Sequence, residues 1–207
     1  MNANDVMKIS PIVPVIALDD IKDALPLAKA LSEGGINIME ITLRTEAGLK
    51  AINLISKEMP SMNVGAGTVC NNVDLMEAKA VGAKFVFSPG ISQELIDSAK
   101  KYKMTIIPGI ATASEVMLAQ NNGIYNCKLF PATISGGVDI LKAFQGPFPK
   151  MKFCPTGGVN LENLNDFLSL KNVLCIGGTW IIPKDIIKSG DFNKITELCI
   201  EALAKIK

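Results

Sequence analysis

Short β-rich runs separated by segments of helical spacing recur along almost the whole chain, and this alternation constrains the fold more than any other feature. The runs span residues 12–17, 36–42, 63–67, 85–88, 105–108, 126–130, 152–155 and 173–176, at intervals of mostly 20 to 25 residues. Between them, apolar residues return with helical period. Segment 20–33 sets Ile21, Ala24, Leu25, Ala28 and Leu31 on one stripe. Segment 92–101 repeats this with Leu95, Ile96 and Ala99, and segment 191–206 closes the chain as a long amphipathic helix. Asp19 or Asp20, Asn71 or Asn72, Ser92 and Asn160 stand where N-caps belong, and Gly34-Gly35, Gly82 and Gly123 stand where helices end.

Strand–helix alternation implies a parallel sheet with right-handed crossovers. Eight strands, each followed by a helix, predict an α/β chain closed as a (β/α)8 TIM barrel. The rival is an open flavodoxin-like or Rossmann sheet, but no Gly-x-Gly-x-x-Gly follows the first run. With 207 residues and no linker or low-complexity stretch, residues 1–207 read as one domain. Aromatic residues make up only 5% of the chain, so its core must be packed with aliphatic side chains.

Composition removes several kinds of chemistry. There is no histidine, which excludes Ser-His-Asp and Cys-His catalysis and any His-ligated zinc site. Lys and Arg number 21 against 20 Asp and Glu, and no basic run suggests a nucleic-acid partner. No stretch approaches the roughly 18 apolar residues of a membrane span, and residues 1–10 lack the apolar core of a signal peptide. The five cysteines are widely spaced, without a Cys-x-x-Cys pair; Cys127, Cys154 and Cys175 lie in apolar runs. A cytoplasmic location with free thiols is expected.

In a barrel of this kind the reactive groups stand at the carboxyl ends of the strands. Those ends read Glu40-Ile41-Thr42-Leu43-Arg44, Gly65-Ala66-Gly67-Thr68, Ser88-Pro89-Gly90, Lys128-Leu129-Phe130-Pro131-Ala132, Pro155-Thr156-Gly157-Gly158 and Gly177-Gly178-Thr179. Lys128 sits between Cys127 and Leu129. Burial disfavours an ammonium, and a neutral amine attacks ketones to form imines. The alternatives are an edge-strand lysine with its head in solvent, or a structural ion pair. Glu40, between Met39 and Ile41, alternates onto the opposite face. There it can move protons or pair with Arg44 or Lys128. Arg44 carries a fork that matches a carboxylate, or it is a surface residue opening the second helix. Thr68 offers a hydroxyl, or a cap ahead of Asn71. The paired glycines let backbone N–H groups approach an anion, or simply make tight turns.

In this order, from about Pro14 to about Pro183, these segments resemble the family of 2-keto-3-deoxy-6-phosphogluconate aldolases, which also act on 2-keto-4-hydroxyglutarate. Two departures keep their hydroxyls: Thr112-Ala113-Ser114-Glu115 where the family usually has Thr-Pro-Ser-Glu, and Thr179 where it often has Ser. The resemblance implies a metal-independent lyase without organic cofactor, with Lys128 as Schiff-base nucleophile and Glu40 as general acid–base acting through a water. It further implies substrate contacts from Arg44, Thr68, Pro89, Phe130 and Thr156, and a phosphate site at Gly157, Gly158, Gly178 and Thr179. The implied partners are a 2-keto-3-deoxy acid and pyruvate, and the implied assembly is a homotrimer. Two other readings stay open: another phosphate-binding barrel enzyme, and a sugar-phosphate sensor without turnover.

Overall fold

The computed structural model describes residues 1–206. Its parallel strands are β1 (Ile12–Ile16), β2 (Ile38–Thr42), β3 (Asn63–Gly67), β4 (Val86–Phe87), β5 (Ile106–Ile107), β6 (Gly109–Ile110), β7 (Asn126–Leu129), β8 (Lys152–Pro155) and β9 (Ile176–Gly178). They form a six-stranded sheet in the order β5-β4-β3-β2-β1-β9 and a three-stranded sheet in the order β6-β7-β8. Glu40 pairs in register with Val15 and Gly65, while Lys128 pairs with Gly109 and Cys154. The result is a curled parallel α/β arrangement.

Several runs shift by one or two residues at an end, and two differ more from their expected spans. The run 105–108 ends in Pro108, which has no N–H for the ladder. Strands β5 and β6 therefore flank it, one pairing with β4 and the other with β7. The Pro108 carbonyl still accepts from Lys128 N at 2.8 Å. The run 173–176 contributes only its last residue to β9. Val173 makes an isolated bridge to Phe153, and Thr156 makes another to Gly177. The ladder with β1, where Ile12 pairs with Ile176, carries β9 onward to Gly178. The unbroken apolar run had no period-two alternation to mark that end.

The helices are α1 (Ala3–Met7), α2 (Ala24–Glu33), α3 (Ala47–Glu58), α4 (Asn72–Ala80), α5 (Gln93–Lys101), α6 (Ala113–Asn121), α7 (Gly137–Gln145), α8 (Leu164–Leu168), α9 (Lys184–Ser189) and α10 (Phe192–Ala204). The segment expected to be helical from residue 20 opens as a 3-10 turn, Ile21–Asp23. Pro26 explains the delay: starting α2 at Ala24 puts it in the first turn, where its missing donor costs no helical hydrogen bond. Side chains of Asp20, Asn71 and Ser92 accept from the N–H groups of Lys22, Asp74 and Leu95. Asn160 accepts from the N–H groups of Glu162 and Asn163, one turn ahead of α8. Thr112 and Glu115 form a reciprocal capping box at α6. Ala113 is the first helical residue there, a position proline also favours, so the Thr-Ala-Ser-Glu sequence keeps the cap. The polar-looking amino terminus carries α1, whose Val6 and Met7 are fully buried.

One contiguous apolar cluster runs from Val6 to Ala202. Aliphatic side chains dominate it, with Phe85, Phe87 and Phe153 the largest fully buried groups. Each such side chain contributes about 1.5–3 kcal/mol on burial. Among the described residues no helix is long and apolar enough to cross a membrane.

Candidate active site

The carboxyl ends of β2, β3, β7, β8 and β9 surround a cavity of about 160 Å³. At a water's share of about 30 Å³, this is room for a small keto acid. Every site residue expected from the sequence lines it. Glu40, Lys128 and Thr156 are buried at its floor. Thr68, Phe130 and Gly157 form half-buried walls, and Arg44, Pro89, Gly158, Gly178 and Thr179 complete the upper wall and rim. Val15, Thr42 and Val159 also line the cavity. Sequence reasoning passed over them because apolar residues and a buried threonine carry no chemical signal of their own.

Lys128 and Glu40 come from different sheets, yet Lys128 Nζ stands 3.1 Å from Glu40 Oε1 and 3.4 Å from Oε2. Lys128 is 5% exposed and Glu40 1%. Burial rules out an edge-strand lysine with its head in solvent. The amine also lies 5.3 Å from the Phe87 ring centre and 5.2 Å from that of Phe130. One carboxylate and two aromatic rings thus hold a buried primary amine. Glu40 pairs with Lys128 rather than Arg44.

Arg44 has another support. Its Nε donates to Thr42 Oγ1 at 3.2 Å, and that hydroxyl donates to the Ile16 carbonyl at 3.0 Å. Thr42 thereby tethers the guanidinium to β1 at the rim. No carboxylate pairs with Arg44 among the described residues. Thr68 is not the cap of α4, since Asn71 fills that role. Its φ of 60° puts a β-branched residue in the left-handed region, a strained geometry that clusters at functional sites.

The glycines serve different needs. Gly157 and Gly158 have φ of 97° and 83°. The Gly157 carbonyl accepts from Thr133 N and Oγ1, and the Gly158 carbonyl from Asn163 Nδ2. The Gly158 N–H has no acceptor among the described residues, leaving a free donor in the cavity lining. Gly177 and Gly178 instead make room: a Cβ on Gly177 would strike Thr156, and one on Gly178 the Trp180 ring.

Gly67 matters in a way its motif did not reveal. A Cβ there would collide with the carboxylate of Glu40. Gly67→Ala should therefore push that carboxylate away from Lys128. We expect catalysis that uses this pair to fall by about 10–100-fold, as a misplacement near 1 Å can, with about 1–3 kcal/mol lost to overpacking. Steady-state kinetics and thermal melting together check this. Wild-type activity in a folded variant would show that the carboxylate needs no such fixed place.

No cysteine lines the cavity. Contact with Cys154, followed by burial, holds the Cys175 thiol well above its ordinary range, and burial does the same to Cys127. All five cysteines are free, with Cys70 alone exposed. Among the described residues no group of three His, Cys, Asp or Glu side chains converges to hold a metal.

Known proteins share this framework. The family model described as "Aldolase: KDPG and KHG aldolase" matches residues 3–198. The 2-dehydro-3-deoxy-phosphogluconate aldolase of Dickeya dadantii is 47% identical over 98% of this chain and 95% of its own. A Legionella pneumophila KDPG aldolase, crystallised with pyruvate captured as a covalent carbinolamine intermediate, is 44% identical, covers 97% of each chain and superposes with a TM-score of 0.95. The Zymomonas mobilis ZM4 2-keto-3-deoxy-6-phosphogluconate aldolase, solved with 3-phosphoglycerate, is 41% identical with a TM-score of 0.92, over 98% of this chain and 95% of that one. With its strand-end motifs gathered round one cavity and a sequence match along nearly its whole length, the chain belongs to the KDPG and KHG aldolase family.

Proposed function

We propose that this chain is a Schiff-base aldolase that cleaves 2-keto-3-deoxy-6-phosphogluconate to pyruvate and glyceraldehyde 3-phosphate, and 2-keto-4-hydroxyglutarate to pyruvate and glyoxylate. The observation that carries the reading is the buried Lys128 amine, 3.1 Å from the Glu40 carboxylate at the floor of the cavity. Lys128 Nζ attacks the C2 ketone, and loss of water from the carbinolamine gives an imine. Glu40 takes the proton of the C4 hydroxyl, directly or through a water. The C3–C4 bond then breaks, the aldehyde leaves, and the bonding electrons pass to the imine nitrogen as an enamine. Protonation at C3 and hydrolysis release pyruvate and restore the amine. The pyruvate carbinolamine of the Legionella relative is the adduct that such chemistry requires.

In the same reading, Arg44 grips the C1 carboxylate with help from Thr68 and Thr156, while Pro89 and Phe130 wall the carbon chain. The free N–H of Gly158, together with Gly157, Gly178 and Thr179, takes the phosphate. The 3-phosphoglycerate bound to the Zymomonas relative supports a site for a small phosphorylated acid. We further infer that the two sheets are arcs of one closed (β/α)8 barrel in a single domain. The bridges from β8 to β9 and the adjacency of β5 and β6 across Pro108 support this closure. A homotrimer in the cytoplasm belongs to the same proposal.

The test is pyruvate release from each keto acid, coupled to NADH oxidation by lactate dehydrogenase, before and after exhaustive chelation. The imine serves as the electron sink, so cleavage should persist at an unchanged rate. Loss of activity with EDTA, restored by a divalent ion, would overturn the mechanism.

A further inference from the structure

A second cavity of about 370 Å³ adjoins the first and shares Val15, Arg44 and Thr179 with it. Its remaining lining is apolar apart from one charge, Lys184, the first residue of α9. Among the described residues the Lys184 ammonium has no ion-pair or hydrogen-bond partner. Lys188 on the same helix, by contrast, pairs with Asp19 at 3.6 Å. Helix stability does not account for Lys184 either, because a cation at a helix N-terminus opposes the macrodipole.

We propose that Lys184 is the counter-charge for the substrate's phosphate and sets the preference for the six-carbon phosphorylated acid over the five-carbon dicarboxylate. This rests on the aldolase reading above. Lys128 and Arg44 fix the C1–C2 end of either substrate at the floor and rim of the inner cavity. The phosphate hangs four carbons beyond C2, at the end of the chain, and a phosphate carries about −1.5 to −2 charge at neutral pH. Lys128, Arg44 and Glu40 are the charged groups lining the inner cavity, with a sum of +1 when all are ionised. That sum does not balance a carboxylate and a phosphate together. Lys184 adds the missing cation, beyond Thr179 on the boundary of the two cavities. The hydroxyglutarate ends one carbon earlier in a single negative charge and gains less from it.

The test compares kcat/KM for both keto acids in the unsubstituted protein and in Lys184→Ala, Lys184→Glu and Lys184→Arg, at about 0.05 M and about 0.5 M salt. The ratio of phosphogluconate to hydroxyglutarate kcat/KM should drop about 10-fold in Lys184→Ala, the lower end for a hydrogen bond to a charged group. The drop should lie mainly in KM. Lys184→Glu should lower the ratio about 100-fold, and Lys184→Arg should keep it within about 3-fold. The losses should shrink at high salt, which a merely structural role would not produce. An unchanged ratio in both Lys184→Ala and Lys184→Glu, or equal losses on both substrates, overturns the proposal. If the wild-type protein cleaves both acids and traps pyruvate on Lys128, either result refutes the role of Lys184 alone. Failure of the wild type in those two assays refutes the aldolase reading and this proposal with it.

Discussion

Lys128→Arg should reduce cleavage of both keto acids to background, a loss of at least about 10⁴-fold, as expected when a covalent nucleophile is removed. Guanidinium stays protonated and forms no imine, while its charge can still meet Glu40. Borohydride reduction with pyruvate should leave a stable adduct on Lys128 of the wild-type protein and none on the variant. The other strand-associated lysines make this a sharp test. Partial burial pushes the Lys84 ammonium below the ordinary lysine value, so desolvation alone would nominate it. Its Nζ, however, donates to the carbonyls of Pro60 and Met62 at 2.8 and 3.0 Å, at the amino-terminal end of β3. Lys152 Nζ is likewise bonded to the Lys171 carbonyl at 2.8 Å, at the start of β8. Neither lines the cavity. An adduct mapped by peptide mass to either lysine, or full turnover in Lys128→Arg, would remove Lys128 from the mechanism.

Glu40→Gln should slow cleavage by about 10²–10⁴-fold, the range for a lost general acid–base group, yet still allow some pyruvate to be trapped on Lys128. The amide keeps the shape that Gly67 accommodates and an oxygen for the amine, but it cannot carry the proton of the C4 hydroxyl. Unpairing a buried charge costs about 3–5 kcal/mol of stability, so the rates are to be compared well below the variant's own melting midpoint. The split between adduct and turnover is the informative readout. Wild-type turnover would show that Glu40 moves no proton. Complete loss of the adduct in a folded protein would mean that Glu40 is needed to form the imine itself.

Much of this site was legible in the chain before any coordinates. The strand-end motifs named Glu40, Arg44, Thr68, Pro89, Lys128, Phe130, Thr156, Gly157, Gly158, Gly178 and Thr179, and all of them line one cavity. Apolar spacing at helical period records which face of a helix is buried, and continuous apolar runs mark strands buried on both faces. The side-chain contacts of Asp20, Asn71, Ser92 and Asn160 reach across two or three residues, so local sequence suffices to place them. Where a boundary slipped, at Pro26, Pro108 and 173–176, the cause was a missing donor or a strand end that no local pattern marks.

What the sequence by itself determined was therefore the order of the elements, their buried faces, and the group of residues brought to one end of the strands. Only the tertiary structure decided which of those residues touch. Glu40 and Lys128 are 88 positions apart and lie in different sheets. Their separation depends on how the sheets curl and pack, which spacing along the chain does not encode. The same holds for the clearance that Gly67 leaves for a carboxylate, the bond from Thr42 to the Ile16 carbonyl that steadies Arg44, and the second cavity that Lys184 lines together with Thr179. Each is a contact between elements distant in sequence or a relation set by how loops are held, and side-chain periodicity within one element carries no information about either.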